Sequence, residues 1–347
     1  MTSTLDIRPP ATLTPRDHGL RSSFARKAVA ILVMLIGATF VAMTLIVNLF
    51  SVGPAFERMT DGFRPVMTQQ SISTARQDIS RLDGAGTELR TTLLPALATQ
   101  LGLTPQQMNA MMQTQYPAVA AGVAALPTIV PSFNGLVTTL DQQRDLFASA
   151  DAIPTKDLPA TTLPWALLVV GVFVFGLGVY TWYAPRAGSV VAVVVGGALI
   201  AVPLFLSLPQ KAADADQLNA NLKPVYTQQL ITQATGALTT LSAMGTQMQT
   251  QMLPALAAQL KMSPAALQAY LGQNFPDTVA ALSTMPASLG RFQHLVATFR
   301  SNLSDYNTLK PVELAPIVWT MIAGGIALVL IGGIGAWVTR PRFDSIA

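Results

Sequence analysis

The chain has 347 residues, of which 51% are hydrophobic and only 11% charged, with a net charge of +4 and a mean hydropathy of +0.45. Soluble domains are about one quarter charged, so this deficit points to long apolar segments and a membrane protein. With no cysteine and two histidines, His18 and His294, the composition excludes disulfide frameworks, thiolate nucleophiles, iron–sulfur clusters and purely histidine-based metal centres. No cofactor is expected.

A hydrocarbon core takes about 20 helical residues, and four uncharged runs reach that length. Residues 1–27 read as a basic tail and 28–50 as the first span. That span is too long for a signal-peptide core and no small-residue cleavage site follows it, so a retained helix is expected. Residues 51–162 form a long connection, 163–183 a second span, 184–187 a turn and 188–208 a third span. A second long connection covers 209–314, the fourth span 315–338 and a short tail 339–347.

The connections carry helical periodicity and no alternating strand pattern. In the first, Ile72, Ala75, Ile79 and Leu82 recur at spacings of three and four, a narrow stripe suited to a bundle seam. Gly86 continues the stripe and permits either a break or a close helix approach. Pro95 predicts a kink or a helix start, because proline lacks the backbone donor. Thr104-Pro105 has the form of an N-cap with proline in the first turn, and Tyr116-Pro117 ends that short helix. A returning helix then presents Phe133, Val137, Leu140 and Phe147 on one face. The outgoing and returning helices are expected to pack antiparallel, capped by the short ones, and to run almost unbroken into the spans.

The second half repeats the first at a fixed offset of 159 residues. Arg64-Pro-Val-Met-Thr-Gln-Gln returns from Lys223, Leu94-Pro-Ala-Leu-Ala from Leu253, Thr104-Pro105 as Ser263-Pro264, and Tyr116-Pro117 as Phe275-Pro276. Pro159 and Pro164 match Pro311 and Pro316 at an offset of 152, so the register shortens before the last span. Self-similarity of this kind indicates internal repeats, here approximately 28–183 and 187–338. The fold class expected is therefore an all-α membrane protein: four transmembrane helices and two duplicated extracytoplasmic helical bundles, related by a parallel pseudo-twofold repeat.

Basic residues set the orientation. The two tails and the short turn carry eight basic and three acidic residues, whereas the long connections carry thirteen and fourteen. Both termini are thus expected in the cytoplasm and both large connections outside it, in a bacterial inner membrane. The pI of about 9.5 reflects this membrane-flanking charge, and no nucleic-acid motif accompanies it.

Candidate sites are sparse. Met244, Met248 and Met252 share a helical face and Met108, Met111 and Met112 cluster. Thioethers select Cu(I), but the first trio aligns with Ala85, Leu89 and Leu93, so apolar packing is the expectation and no metal site is assigned. His294 is read as an ordinary polar histidine. Arg64 and Lys223 occupy equivalent positions near the expected membrane face, where they are candidates for lipid-headgroup contacts against snorkelling anchors. The spans lack Asp, Glu, Lys, Arg and His, which disfavours proton-coupled transport. No nucleophile–base pair or phosphate loop is present, so an enzyme is not expected. The leading expectation is an envelope scaffold or accessory subunit that binds another envelope or membrane protein. The alternative is a carrier of lipid or another hydrophobic solute, with the lipid bilayer a partner in either case.

Overall fold

The computed structural model describes residues 17–153, 155 and 158–338, with side chains from Lys27 onward. The basic tails, including Arg8, Arg16, Arg340 and Arg342, lie outside the described residues, as do the side chains of His18, Arg21 and Arg26. Every extended element among the described residues is a helix. In chain order these are α1 (Asp17–Ile46), α2 (Leu49–Phe63), α3 (Gln69–Glu88), α4 (Leu94–Gln100), α5 (Pro105–Gln115), α6 (Pro117–Gln142), α7 (Arg144–Asp151) and α8 (Thr162–Tyr183). The second half gives α9 (Pro185–Phe205), α10 (Leu208–Leu222), α11 (Gln228–Gln247), α12 (Leu253–Gln259), α13 (Pro264–Asn274), α14 (Pro276–Ser301), α15 (Leu303–Leu309) and α16 (Leu314–Val338).

The chain divides into two compact units, one holding residues 1–53, 157–212 and 313–347, the other 54–156 and 213–312. The first, the span unit, contains α1, α8, α9 and α16, all long and apolar enough to cross a membrane. They form a ring in which α1 packs on α8, α8 on α9, α9 on α16 and α16 on α1. Glycine makes the closest approaches. A Cβ at Gly37 would collide with the backbone of Phe175 and Gly171, and one at Gly196 would lie 2.6 Å from the Gly325 carbonyl oxygen. Small residues are what helices need where no aqueous driving force pushes them together.

The second, the bundle unit, is built on a ring of α3, α6, α11 and α14. Neighbours run in opposite directions: Gly86 meets Leu126 and Arg76 meets Asp141, so a rising residue number on α3 pairs with a falling one on α6. The sequence expectation of two separate bundles is corrected here. The most extensive contacts in this unit join α3 to α14 and α6 to α11, across the two halves of the chain. Each half's stripe is too narrow to enclose a core alone, and four helices together complete it. Ile72, Ile79, Val137, Phe133, Ile231, Leu238 and Phe292 are all buried.

Local chemistry sets the helix ends. Thr104 accepts from the Gln107 backbone while Gln107 reaches back to the Thr104 nitrogen, a complete capping box. Ser263 caps the equivalent α13. Ahead of Pro95 and Pro254 the backbone widens into single π-helical turns, Leu89–Leu93 and Met248–Met252. A proline inside a continuing helix lacks a donor and crowds the carbonyl four residues earlier, and one wider turn accommodates both. Gly86 and Gly245 are not breaks. They admit Leu126 and the Met285 thioether respectively, so the close-approach alternative holds.

Two further differences from the sequence expectation concern continuity and span number. The outgoing helices do not run unbroken from the spans, because Asn48 and Ser207, also 159 apart, both take φ of 53° and separate α1 from α2 and α9 from α10. Among the described residues five helices, not four, are long and apolar enough to span a membrane, the fifth being α6. Its large apolar residues, Val123, Leu126, Ile129, Val130, Phe133, Leu136, Val137 and Leu140, are nevertheless buried. Its exposed positions include Ala121, Thr128, Ser132 and Asn134.

Candidate functional site

The bundle unit holds the chemically distinctive groups. Glu88 and Gln247, the last residues of α3 and α11, each reach the N-terminus of a helix from the other half. The Glu88 carboxylate accepts from the Thr278 nitrogen at 2.7 Å, and the Gln247 carbonyl oxygen accepts from Ala118 at 2.8 Å and Val119 at 3.1 Å. First-turn N–H groups have no intrahelical partner, so these side chains satisfy donors that the local sequence does not. Asp78 on α3, its side chain 1% exposed, receives two hydrogen bonds from Arg291 on α14 at 2.7 and 2.8 Å. Asn221 donates to the buried Gln143 at 2.7 Å, and Arg58 pairs with Asp305. These links join residues 78 to 247 positions apart, beyond the reach of periodicity.

Two clefts open on this surface. One, of about 730 Å³, runs along α11 and α14; Thr235, Thr239, Ser242, Thr246 and Gln293 line it together with Leu238 and Val296, and Arg300 lies at one end. The equivalent face of the first half is laced by Arg76 and Asp141, 2.8 Å apart. The other, of about 530 Å³, lies among α3, α6 and α14. Its buried lining residues include Ile72, Val137, Leu140, Phe292 and Leu295, and the exposed Arg291 and His294 also line it.

The positions singled out by sequence separate. Arg64 is committed to carboxylates, donating to Asp151 at 2.9 and 3.0 Å and to Asp61 at 2.5 Å. Its pKa is raised chiefly by the hydrogen bond to Asp151. Lys223 is exposed and, among the described residues, has no carboxylate within ion-pair distance. The methionine trio also parts company: Met244 of α11 packs against Gly122, whereas Met252 of the second π-turn joins a cavity with residues of α5.

A buried aromatic cluster completes the inventory. Tyr226 stacks on Tyr306 with centroids 4.3 Å apart, flanked by Phe63 and Phe299. Burial raises the pKa of both phenols, that of Tyr226 strongly, so both stay neutral. Tyr306 donates to the Asn219 carbonyl at 3.3 Å. Among the described residues no group of three or more His, Cys, Asp or Glu side chains is placed to hold a metal. Comparison with protein-family models, curated proteins and solved structures finds no match.

Proposed function

We propose that the chain is a four-span bacterial inner-membrane protein, without enzymatic activity, whose extracytoplasmic helical bundle docks another envelope or membrane protein as a scaffold or accessory subunit. The observation that carries this reading is the open cleft on α11 and α14, walled mainly by Thr, Ser, Gln and Ala around Leu238 and Val296. Short side chains let a partner helix approach closely, hydroxyl and amide groups supply adaptable hydrogen bonds, and Leu238 and Val296 give the cleft a small apolar floor. Four spans are favoured over five because, among the described residues, the exposed large apolar side chains all belong to the span unit. α6 exposes the opposite character. Matching helix bounds at an offset of 159, from α3 and α11 through α6 and α14, support a duplicated unit inserted twice in the same direction.

The absence of cysteine makes the test direct. Ser132→Cys on α6 is expected to react with a membrane-impermeant maleimide added outside intact cells, and protection of that residue would refute the four-span arrangement. A photo-crosslinking residue at Thr239 or Ala297 is expected to give one discrete protein adduct in native membranes, lost when Ala243→Trp fills the cleft. Adducts no stronger than those at Ser80 and Thr138, the equivalent first-half positions, would overturn the docking reading.

The cleft among α3, α6 and α14 favours a second reading, a lipid or hydrophobic-solute carrier, because its floor is apolar and Arg291 and His294 are exposed beside it. Lipid retained stoichiometrically by the purified chain and lost on Val137→Trp would select it. A headgroup contact near the membrane narrows to Lys223, since Arg64 is already neutralised by two carboxylates.

A further inference from the structure

Met108, Met111 and Met112 of α5 and Met252 of the second π-turn line a single cavity of about 20 Å³. Met108, Met112 and Met252 are at most 5% exposed. Sequence spacing separates these residues into two clusters, and only the packing of the two halves brings the four together. The positions 159 residues away hold Leu267, Tyr270, Leu271 and Leu93, and the three leucines are equally buried. Packing at this place in the fold is thus met without sulfur, by three leucines and a tyrosine. What sets this face apart from the Met244 trio is that thioethers from both halves of the chain gather around one cavity.

Thioethers are soft, neutral donors that select monovalent soft metals, Cu(I) above all. A divalent ion would bring two charges into a buried site with no anionic ligand, whereas a monovalent one brings a single charge to polarisable sulfur. The cavity has space for about one water-sized body, so it suits a bare ion and not a hydrated one. We propose that Met108, Met111, Met112 and Met252 form a binding site for a single Cu(I) ion. Thioethers carry no proton to displace, so binding is independent of pH where thiolate and imidazole sites are not.

The test uses the full-length chain in detergent, with Ag(I) as a redox-stable probe and Cu(I) held reduced and competed against a chromophoric chelator. The native chain is expected to take up about one equivalent of either ion, with a sulfur coordination shell by X-ray absorption. The triple variant Met108→Leu, Met112→Leu, Met252→Leu, which installs the residues of the equivalent face, is expected to lose that equivalent while keeping native helicity. The variant Met244→Leu, Met248→Leu should retain it. No stoichiometric uptake by the native chain, uptake unchanged in the triple variant, or a shell of oxygen and nitrogen alone would each overturn the proposal.

Discussion

The span unit and the bundle unit use the same cyclic order of helices, two from the first half followed by two from the second, yet they hold their rings together differently. In the span unit the most extensive contacts stay within each half, α1 with α8 and α9 with α16. They depend on missing side chains, at Gly37, Gly171, Gly178, Gly196, Gly325 and Gly332. In the bundle unit the most extensive contacts cross between halves and carry side-chain chemistry, including Asp78 with Arg291 and the two reciprocal caps. A ring of apolar helices gains from backbone proximity, while a ring of helices with polar outer faces gains from burying apolar stripes and pairing the polar groups at their edges.

The contrast can be broken most forcefully where backbones touch. Gly37→Leu or Gly196→Leu has no flexible neighbour to displace, and each is expected to cost about 3 kcal/mol or more by overpacking. Loss of the monodisperse peak on detergent gel filtration would register it, whereas Gly176→Leu, which faces open space, should be tolerated. Next in size, Arg291→Ala leaves the Asp78 carboxylate buried without its cation. The usual cost of breaking a buried pair, reduced because Arg291 is half exposed, gives about 2–4 kcal/mol. Replacing both partners with leucine should recover most of that loss in thermal melts, which a merely misfolded variant would not do.

The reciprocal caps come third: Glu88→Ala and Gln247→Ala should each cost about 1 kcal/mol, as helix N-caps do. Their effects should add, because they act on different helices. The smallest change runs the other way. Lys261 holds φ of 53° where the first half has Gly102 at 67°, and left-handed backbone is unfavourable for any residue with a Cβ. Lys261→Gly is therefore expected to stabilise the bundle by about 0.5–1 kcal/mol after its own entropic cost, and Gly102→Ala to destabilise it by about as much. An unchanged melting temperature in both would show that these turns are not strained.

Much of this was legible in the sequence because it is local. Four hydropathy maxima located the helices of the span unit, Thr104-Pro105 and Ser263-Pro264 marked real caps, and the stripe Ile72, Ile79 is buried as its spacing implies. The pairing of halves was not legible, since nothing in the period of α3 states whether its partner is α6 or α14. Arg64 illustrates the same limit. Its neighbour Asp61 is three residues away, but Asp151, which commits its guanidinium, lies 87 residues on. The four methionines around one cavity were likewise divided by more than a hundred residues of chain.

The reciprocal caps bear on how the molecule is made. At a synthesis rate of about 5–20 residues per second, the 129 residues from Ala118 to Gln247 take about 6–26 s to emerge and the 213 from Asp78 to Arg291 about 11–43 s. Until then α6 has no Gln247 to receive its first N–H groups, and α3 has no Arg291 for its carboxylate. The first half therefore waits as an open hairpin with an uncovered apolar stripe, and the bundle closes only when the last long helix arrives. A nascent chain arrested before α14 should bind holdase chaperones and be cut by protease within α3 and α6, while release of the next 60 residues should abolish both.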